Sequence, residues 1–328
     1  DILHYCTQNL DSIFELTKSN DLFVRSLAVD IISFNLYELS HNNNSRLSNI
    51  FNICLDTIFN SEQHNNGQIH GHLLLLQRIY TFRPSIFHET IDTLISPLTN
   101  LCLNSNGPIS VVSFQFINTV GSSQINLFDE QSMDNICQGY ISKCQNRTQT
   151  DLYFDALNQS IVIFKDKLHI DQLVDFLIGF ISTPSNKSFC SLAFRSLSII
   201  CREHPRISLD PQLFINAPIC KNYIRCLKTQ PSLLPDLKPS LSVQLKHGLS
   251  PTNTPNQIIV FLKMARAFKL DLFENYDEMH QCILKVYDSS LEQLILQLVK
   301  SVACEPTIES TNWLLETSIY DTFKSVRL

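Results

Sequence analysis

Apolar and polar positions along this chain recur with the 3.6-residue period of an amphipathic helix almost from end to end. Val24, Leu27, Ala28 and Ile31 stand at i, i+3, i+4 and i+7, which predicts a helix over 22–39 with that quartet turned inward. The same pattern predicts helices over 2–17, 46–59, 68–81, 86–103, 109–120, 129–145, 150–165, 171–182, 187–203, 211–228, 232–247, 255–268, 276–287, 290–303 and 309–326. Short polar segments separate them, among them Ser19-Asn20, His41 to Ser45, Ser61 to Asn66, Asn104 to Gly107 and Ser250 to Thr254. Asp21 and Ser185 suit helix N-caps, and Pro84 and Pro108 suit first turns. Gln124 to Asp129 fits a short extended piece, but no alternating run is long enough for a sheet.

About sixteen helices give one pair per roughly 41 residues, inside the 40–47-residue period of HEAT and armadillo arrays. The predicted fold is therefore all-α, a HEAT/armadillo-like α-solenoid of about eight helical hairpins running as one continuous array through residues 1–328. A compact, non-repeating pair of helical domains is the alternative architecture. Asp21-x-x-Val24-Arg25-x-x-Ala28 combines a cap, a core valine, an arginine for the turn of the neighbouring repeat and a small residue for close packing. The stretch 187–203 keeps Ala193 and Arg195 but not that spacing.

Composition agrees with this picture. With 328 residues, 44% of them hydrophobic, the chain exceeds one ordinary core. Only 7 glycines and 13 prolines disfavour a turn-rich β fold. A start at Asp1 without methionine is expected of a fragment of a longer protein or of a processed product. Neither a signal peptide nor an apolar run of about 20 residues is visible. Ile258 to Phe268 is too short to span a membrane and carries Lys263 and Arg266. The 11 cysteines are odd in number and scattered, with no Cys-x-x-Cys pair, and Cys54, Cys190 and Cys282 sit in apolar helical stripes. They read as small hydrophobes in a reducing cytosolic or nuclear compartment, and the expected location is cytoplasmic. The glycosylation sequons at Asn43, Asn146, Asn158 and Asn186 are then chance matches.

Charge is unevenly spread. Residues 187–269 hold 12 Lys and Arg against Glu203, Asp210 and Asp236, so a chain of net charge −6 contains a segment of +9. Lys221, Arg225 and Lys228 share one helix face, opposite an apolar face of Cys220, Ile224 and Leu227. Lys263, Arg266 and Lys269 form a second basic set, interleaved with Leu262, Ala265 and Phe268. Such a run serves as a solvated face, as a track for a phosphate backbone or as a dock for an acidic protein.

Asn66 to Ile79 places His70, Gly71 and His72 inside a strongly apolar helix. Glycine there costs about 1 kcal/mol relative to alanine, a cost tolerated where a neighbouring backbone comes close. Histidines two apart on a helix do not face each other, and no carboxylate lies beside them, so no metal site is expected. His70 is expected to bond a group of the adjoining repeat. No nucleophile elbow and no glycine-rich phosphate loop occur, so neither catalysis nor a small-molecule cofactor is expected. Trp313, Tyr320 and Phe323 fit a terminal hydrophobic closure, and Phe114 and Phe116 fit a core.

The order Val24-Arg25-x-Leu27-Ala28, about forty residues of helix, then Ile69-His70-Gly71-x-Leu73-Leu74 and Ile79 resembles a segment of the THADA family. Val24, Arg25, Ala28, His70, Gly71 and Leu73 carry the resemblance, which covers residues 21–80. Asn66 stands one residue farther from His70 than in the family pattern. The arginine-rich motif of the family's central domain is absent, so the chain would correspond to a portion downstream of it. The resemblance implies a HEAT-repeat, non-catalytic regulatory partner of a tRNA ribose 2′-O-methyltransferase that acts in the anticodon loop. Its partners would be that methyltransferase and tRNA, and the methyl donor would belong to the partner enzyme. Lys221, Arg225, Lys228, Lys263, Arg266 and Lys269 would then be candidate RNA contacts. The rival class is a protein–protein scaffold such as a trafficking adaptor, a transport receptor or the helical region of a large kinase.

Overall fold

A computed structural model describes residues 5, 6, 8–38, 44–145, 150–183, 187–268, 272, 273, 276–286 and 295. No strand occurs among them, and the fold is all-α. The predicted helix over 290–303 apart from Ile295, the helix over 309–326, the cap at Ser185, Lys269 and the Trp313, Tyr320 and Phe323 cluster lie outside the described residues. The chain divides into two compact units, 1–173 and 174–328.

The first unit contains α1 (Leu10–Leu16), α2 (Leu22–Glu38), α3 (Asn44–Phe59), α4 (Asn66–Phe82), α5 (Ile91–Asn104), α6 (Pro108–Gln124), α7 (Glu130–Gln145) and α8 (Thr150–Ile163). Helices two apart in sequence lie side by side: α2 on α4, α4 on α6 and α6 on α8, with α3 on α5 and α5 on α7. Polar side chains record the alignment. Arg25 Nε donates to His70 Nδ1 and Arg78 reaches Asp30, so α2 and α4 run parallel. Gln77 bonds Thr119 and Tyr80 bonds Ser123, so α4 and α6 do as well. These partners are 42 to 48 residues apart in sequence, close to the spacing that the helix count gives. Between the layers Phe87 sits edge-on to Phe51, Tyr80 and Phe116, with ring centroids 4.8, 5.1 and 6.1 Å away.

Chain order continues with α9 (Ile170–Ser182). The second unit contains α10 (Lys187–Glu203), α11 (Pro211–Asn216), α12 (Lys221–Lys228), α13 (Leu234–Gly248), α14 (Pro255–Phe268) and α15 (Tyr276–Lys285). Here α10 packs on α12, α12 on α14, and α11 on α13.

Several expected elements differ in detail. The inward face of α2 is Arg25, Ala28, Val29 and Ile32, one position on from the predicted quartet, while Leu27 is exposed and Val24 and Ile31 are half-buried. Apolar residues surround this helix, so periodicity alone leaves two stripes to choose from. The stripe that holds Arg25 wins because its guanidinium finds two acceptors. The single helix expected over 211–228 is broken between Asn216 and Lys221, because Pro218 disfavours the helical region for Ala217, whose ψ is 150°. The helix expected over 86–103 begins as a 3₁₀ turn, Pro84–Phe87, and α5 proper starts at Ile91. Gln124 to Asp129 forms a 3₁₀ turn over Ile125–Leu127, where Lys167 Nζ binds the carbonyls of Ile125 and Phe128 at 2.9 and 2.8 Å. No helix among the described residues is long and apolar enough to cross a membrane.

Candidate functional site

The residues of the family-like motif meet where the end of α1, the start of α2 and the first half of α4 converge. Asp21 caps α2, its carboxylate accepting from the N–H of Phe23 at 2.8 Å and of Val24 at 3.2 Å. One turn on, Arg25 is 7% exposed. It donates to the Ser19 carbonyl at 2.5 Å and, through Nε, to His70 Nδ1 at 3.3 Å. His70 must therefore be neutral, and burial followed by the Arg25 charge brings its pKa down to about 4. Burial also lowers the pKa of Arg25, with Asp21 partly opposing.

Gly71 and Gly67 lie against the end of α1. A Cβ on residue 71 would collide with the Thr17 carbonyl, and one on residue 67 would stand 2.9 Å from the Ser19 carbonyl oxygen. Ala28 and Leu73 are buried beneath this junction. His72 points elsewhere. Its Nδ1 meets Thr57 Oγ1 at 2.8 Å, and its ring stacks on Phe14 with centroids 5.1 Å apart. Burial first, then Lys18 and His64, lowers its pKa to about 4 against a small opposing effect of Glu15. The two histidines thus bind two different helices, α2 and α3. The arrangement is a clamp among helices with no reacting group aimed at solvent.

The basic candidates divide between two packed helices. On α12, Lys221, Arg225 and Lys228 are all exposed, and none has a hydrogen-bond or ion-pair partner among the described residues. The opposite face buries Tyr223, Ile224, Cys226 and Leu227, a broader set than expected, while Cys220 instead caps the helix by accepting from the Tyr223 N–H. Tyr223 anchors α12: its ring lies 5.2 Å from Phe194 and 5.3 Å from Phe214, and its hydroxyl donates to the Phe214 carbonyl at 3.0 Å. Asn222 adds two bonds to Ser191 at 3.0 Å. This anchorage holds the three cations on a fixed rod. On α14, Lys263 is half-buried, and Arg266 is exposed but already has a partner within the chain.

Sequence pattern alone missed the carbonyls of Thr17 and Ser19, which are the contacts that explain Gly71 and Arg25. Main-chain acceptors carry no residue signature. Among the described residues no group of three or more His, Cys, Asp or Glu is placed to hold a metal ion, and all ten described cysteines are free thiols. Asn158 is buried on α8, out of reach as an acceptor of glycan. No protein-family model matches the chain, and no curated protein matches it either.

Proposed function

We propose that the chain is a HEAT-type helical-repeat segment that acts as a non-catalytic binding scaffold. The observation that carries this is the recurrent parallel packing of helices two apart, with bonded partners 42 to 48 residues apart in sequence. Stacked pairs of this kind present long surfaces whose exposed residues are free to vary. The Arg25–His70 bond and the Gly71–Thr17 contact give the family-like motif a structural role, in keeping with the THADA resemblance. On that reading the chain serves, in the cytosol, a tRNA 2′-O-ribose methyltransferase acting in the anticodon loop, and the Lys221, Arg225 and Lys228 ridge supplies phosphate contacts.

The test is tRNA binding by the purified chain over a series of salt concentrations, with and without K221A/R225A/K228A. Each phosphate contact contributes about 0.7–0.9 to the slope of log K against log salt. The variant is expected to bind more weakly and to lower that slope by about 2–3. Unchanged affinity at low salt removes α12 from the RNA surface.

A second reading, a protein–protein scaffold, is favoured by α2. Phe23 is 74% exposed and Phe34 61%, with Leu27 between them on the same side of the helix. Such an apolar stripe is characteristic of contact surfaces. On that reading tRNA is not retained, and replacing Phe23 and Phe34 with serine abolishes partner binding.

A further inference from the structure

The break between α11 and α12 opens a cleft of about 940 Å³ in the second unit, a size found among ligand sites. Ile178, Ile215, Ile219 and Phe261 give it half-buried apolar walls. Five side-chain amides also line it: Gln212, Asn216, Gln244, Asn253 and Gln257. Three of these are held by bonds at one end only. Gln244 Nε2 donates to the Ile215 carbonyl at 3.3 Å and to Ser240 Oγ at 3.4 Å, while its Oε1 is buried with no partner among the described residues. Asn253 Nδ2 donates to the carbonyls of His247 and Gly248 at 2.8 and 3.0 Å, which leaves Oδ1 to accept. Gln257 Oε1 accepts from the N–H and hydroxyl of Thr254, both at 3.0 Å, which leaves Nε2 to donate. The cleft therefore combines oriented acceptors and a donor with an apolar surface.

Charge narrows the class of ligand. Among the described residues no lysine or arginine lines the cleft, and its one carboxylate is Asp210. A phosphate-bearing chain would meet no permanent cation there, only the imidazole of His247. A peptide backbone offers one N–H and one C=O per residue, which side-chain amides match in both senses. We propose that this cleft binds an extended peptide. Gln244, Asn253 and Gln257 hold its main chain, its apolar side chains rest on Ile215 and Phe261, and a basic residue lies opposite Asp210. The proposal is independent of tRNA binding through α12.

The probe is a displayed library of random dodecapeptides, selected on the whole chain, with recovered peptides measured by fluorescence anisotropy. Selected sequences are expected to pair apolar residues with a lysine or arginine. Q257A, at an exposed position, should weaken binding about three- to tenfold, the effect of one hydrogen bond. Asp210 caps α11 by accepting from the Gln212 N–H at 2.8 Å; D210N keeps an acceptor for that bond and should erase the preference for a basic residue. S182W, which fills the cleft from an exposed position, should abolish binding. K221A/R225A/K228A should leave peptide binding intact, and its loss in that variant would overturn the proposal. So would recovery of no peptide tighter than about 1 mM, which is −4.1 kcal/mol of binding. Binding indifferent to Q257A, D210N and S182W, or a short oligouridylate held with the same sensitivity to them, overturns it too.

Discussion

The carbonyl of Thr17 occupies the space in which residue 71 would carry a Cβ. It belongs to the last turn of α1, where the Thr17 hydroxyl also folds back onto the Phe14 carbonyl at 2.6 Å. Helix α4 approaches so closely because its packing edge is Gly67 and Gly71. Alanine in a helix interior ordinarily stabilises by about 1 kcal/mol over glycine. At residue 71 the sign reverses, and Gly71→Ala is expected to destabilise by about 1–3 kcal/mol through overpacking. Gly179 is the control, since it is an exposed position of α9 where an added Cβ would meet no atom within 4 Å. Gly179→Ala should raise the urea midpoint while Gly71→Ala lowers it, with m unchanged in both. Equal effects would show that the Thr17 contact is not close.

Acid should weaken the clamp. His70 and His72 each have a folded pKa of about 4, against an ordinary value near 6.5. Between these values the unfolded chain binds more protons than the folded one, so stability falls as pH falls from about 6.5 towards 4. Below 4 the two groups add no further loss. Each contributes at most about 1.4 kcal/mol per pH unit within that window. His70→Gln keeps an acceptor for Arg25 but cannot titrate. Denaturant midpoints at pH 7, 5.5 and 4.5 should fall less steeply for this variant, and an identical fall would remove His70 from the acid response.

Much of this was legible in the sequence, for identifiable reasons. Helix spacing gave the all-α class and a period near that of the cross-helix bonds in the first unit, because each helix alternates buried and exposed positions with the same 3.6-residue period. The glycine beside His70 announced a close approach, since an apolar helix tolerates glycine only for such a reason. Which face of α2 turns inward was not legible: its apolar residues surround the helix, and the deciding contacts are the carbonyl of Ser19 and the ring of His70, 45 residues away. The break before α12 had a signal in Pro218, but the apolar periodicity on either side masked it. Exposure of Lys221, Arg225 and Lys228 followed from their spacing; what they bind does not.

Arg25 tests whether the clamp is polar or merely packed. Arg25→Met keeps most of the aliphatic length and removes both donated bonds, to Ser19 O and to His70 Nδ1. Leaving the buried His70 acceptor unpaired costs about 1–3 kcal/mol, while the half-buried Ser19 carbonyl adds less. Loss of the cation also removes one of the two causes that depress the His70 pKa. The variant should therefore be less stable at pH 7, with the His70 titration, followed by NMR, shifted upward from about 4 but held below 6.5 by burial. An unmoved His70 titration would show that the guanidinium does not act on the ring.

The sharpest test of layer-to-layer coupling is the buried chain Tyr140–Ser160–Asn118. Ser160 Oγ donates to Asn118 Oδ1 at 2.5 Å, so the Tyr140 hydroxyl, 2.7 Å from Ser160, is the donor of that pair. Asn118 Nδ2 in turn donates to the Ala156 carbonyl at 2.9 Å. Burial pushes the Tyr140 pKa well up, which keeps its proton in place for donation. Three helices, α6, α7 and α8, meet in this chain. Ser160→Ala leaves the Tyr140 hydroxyl and Asn118 Oδ1 unpaired together and is expected to cost about 2–4 kcal/mol. Tyr140→Phe removes only the first donor, leaves the Ser160–Asn118 bond, and should cost about 1 kcal/mol. In the double variant phenylalanine has no hydroxyl to orphan, so the combined loss should fall short of the sum by at least about 0.5 kcal/mol. Strict additivity in that cycle would mean that the three side chains act separately and that the layers are held by apolar packing alone.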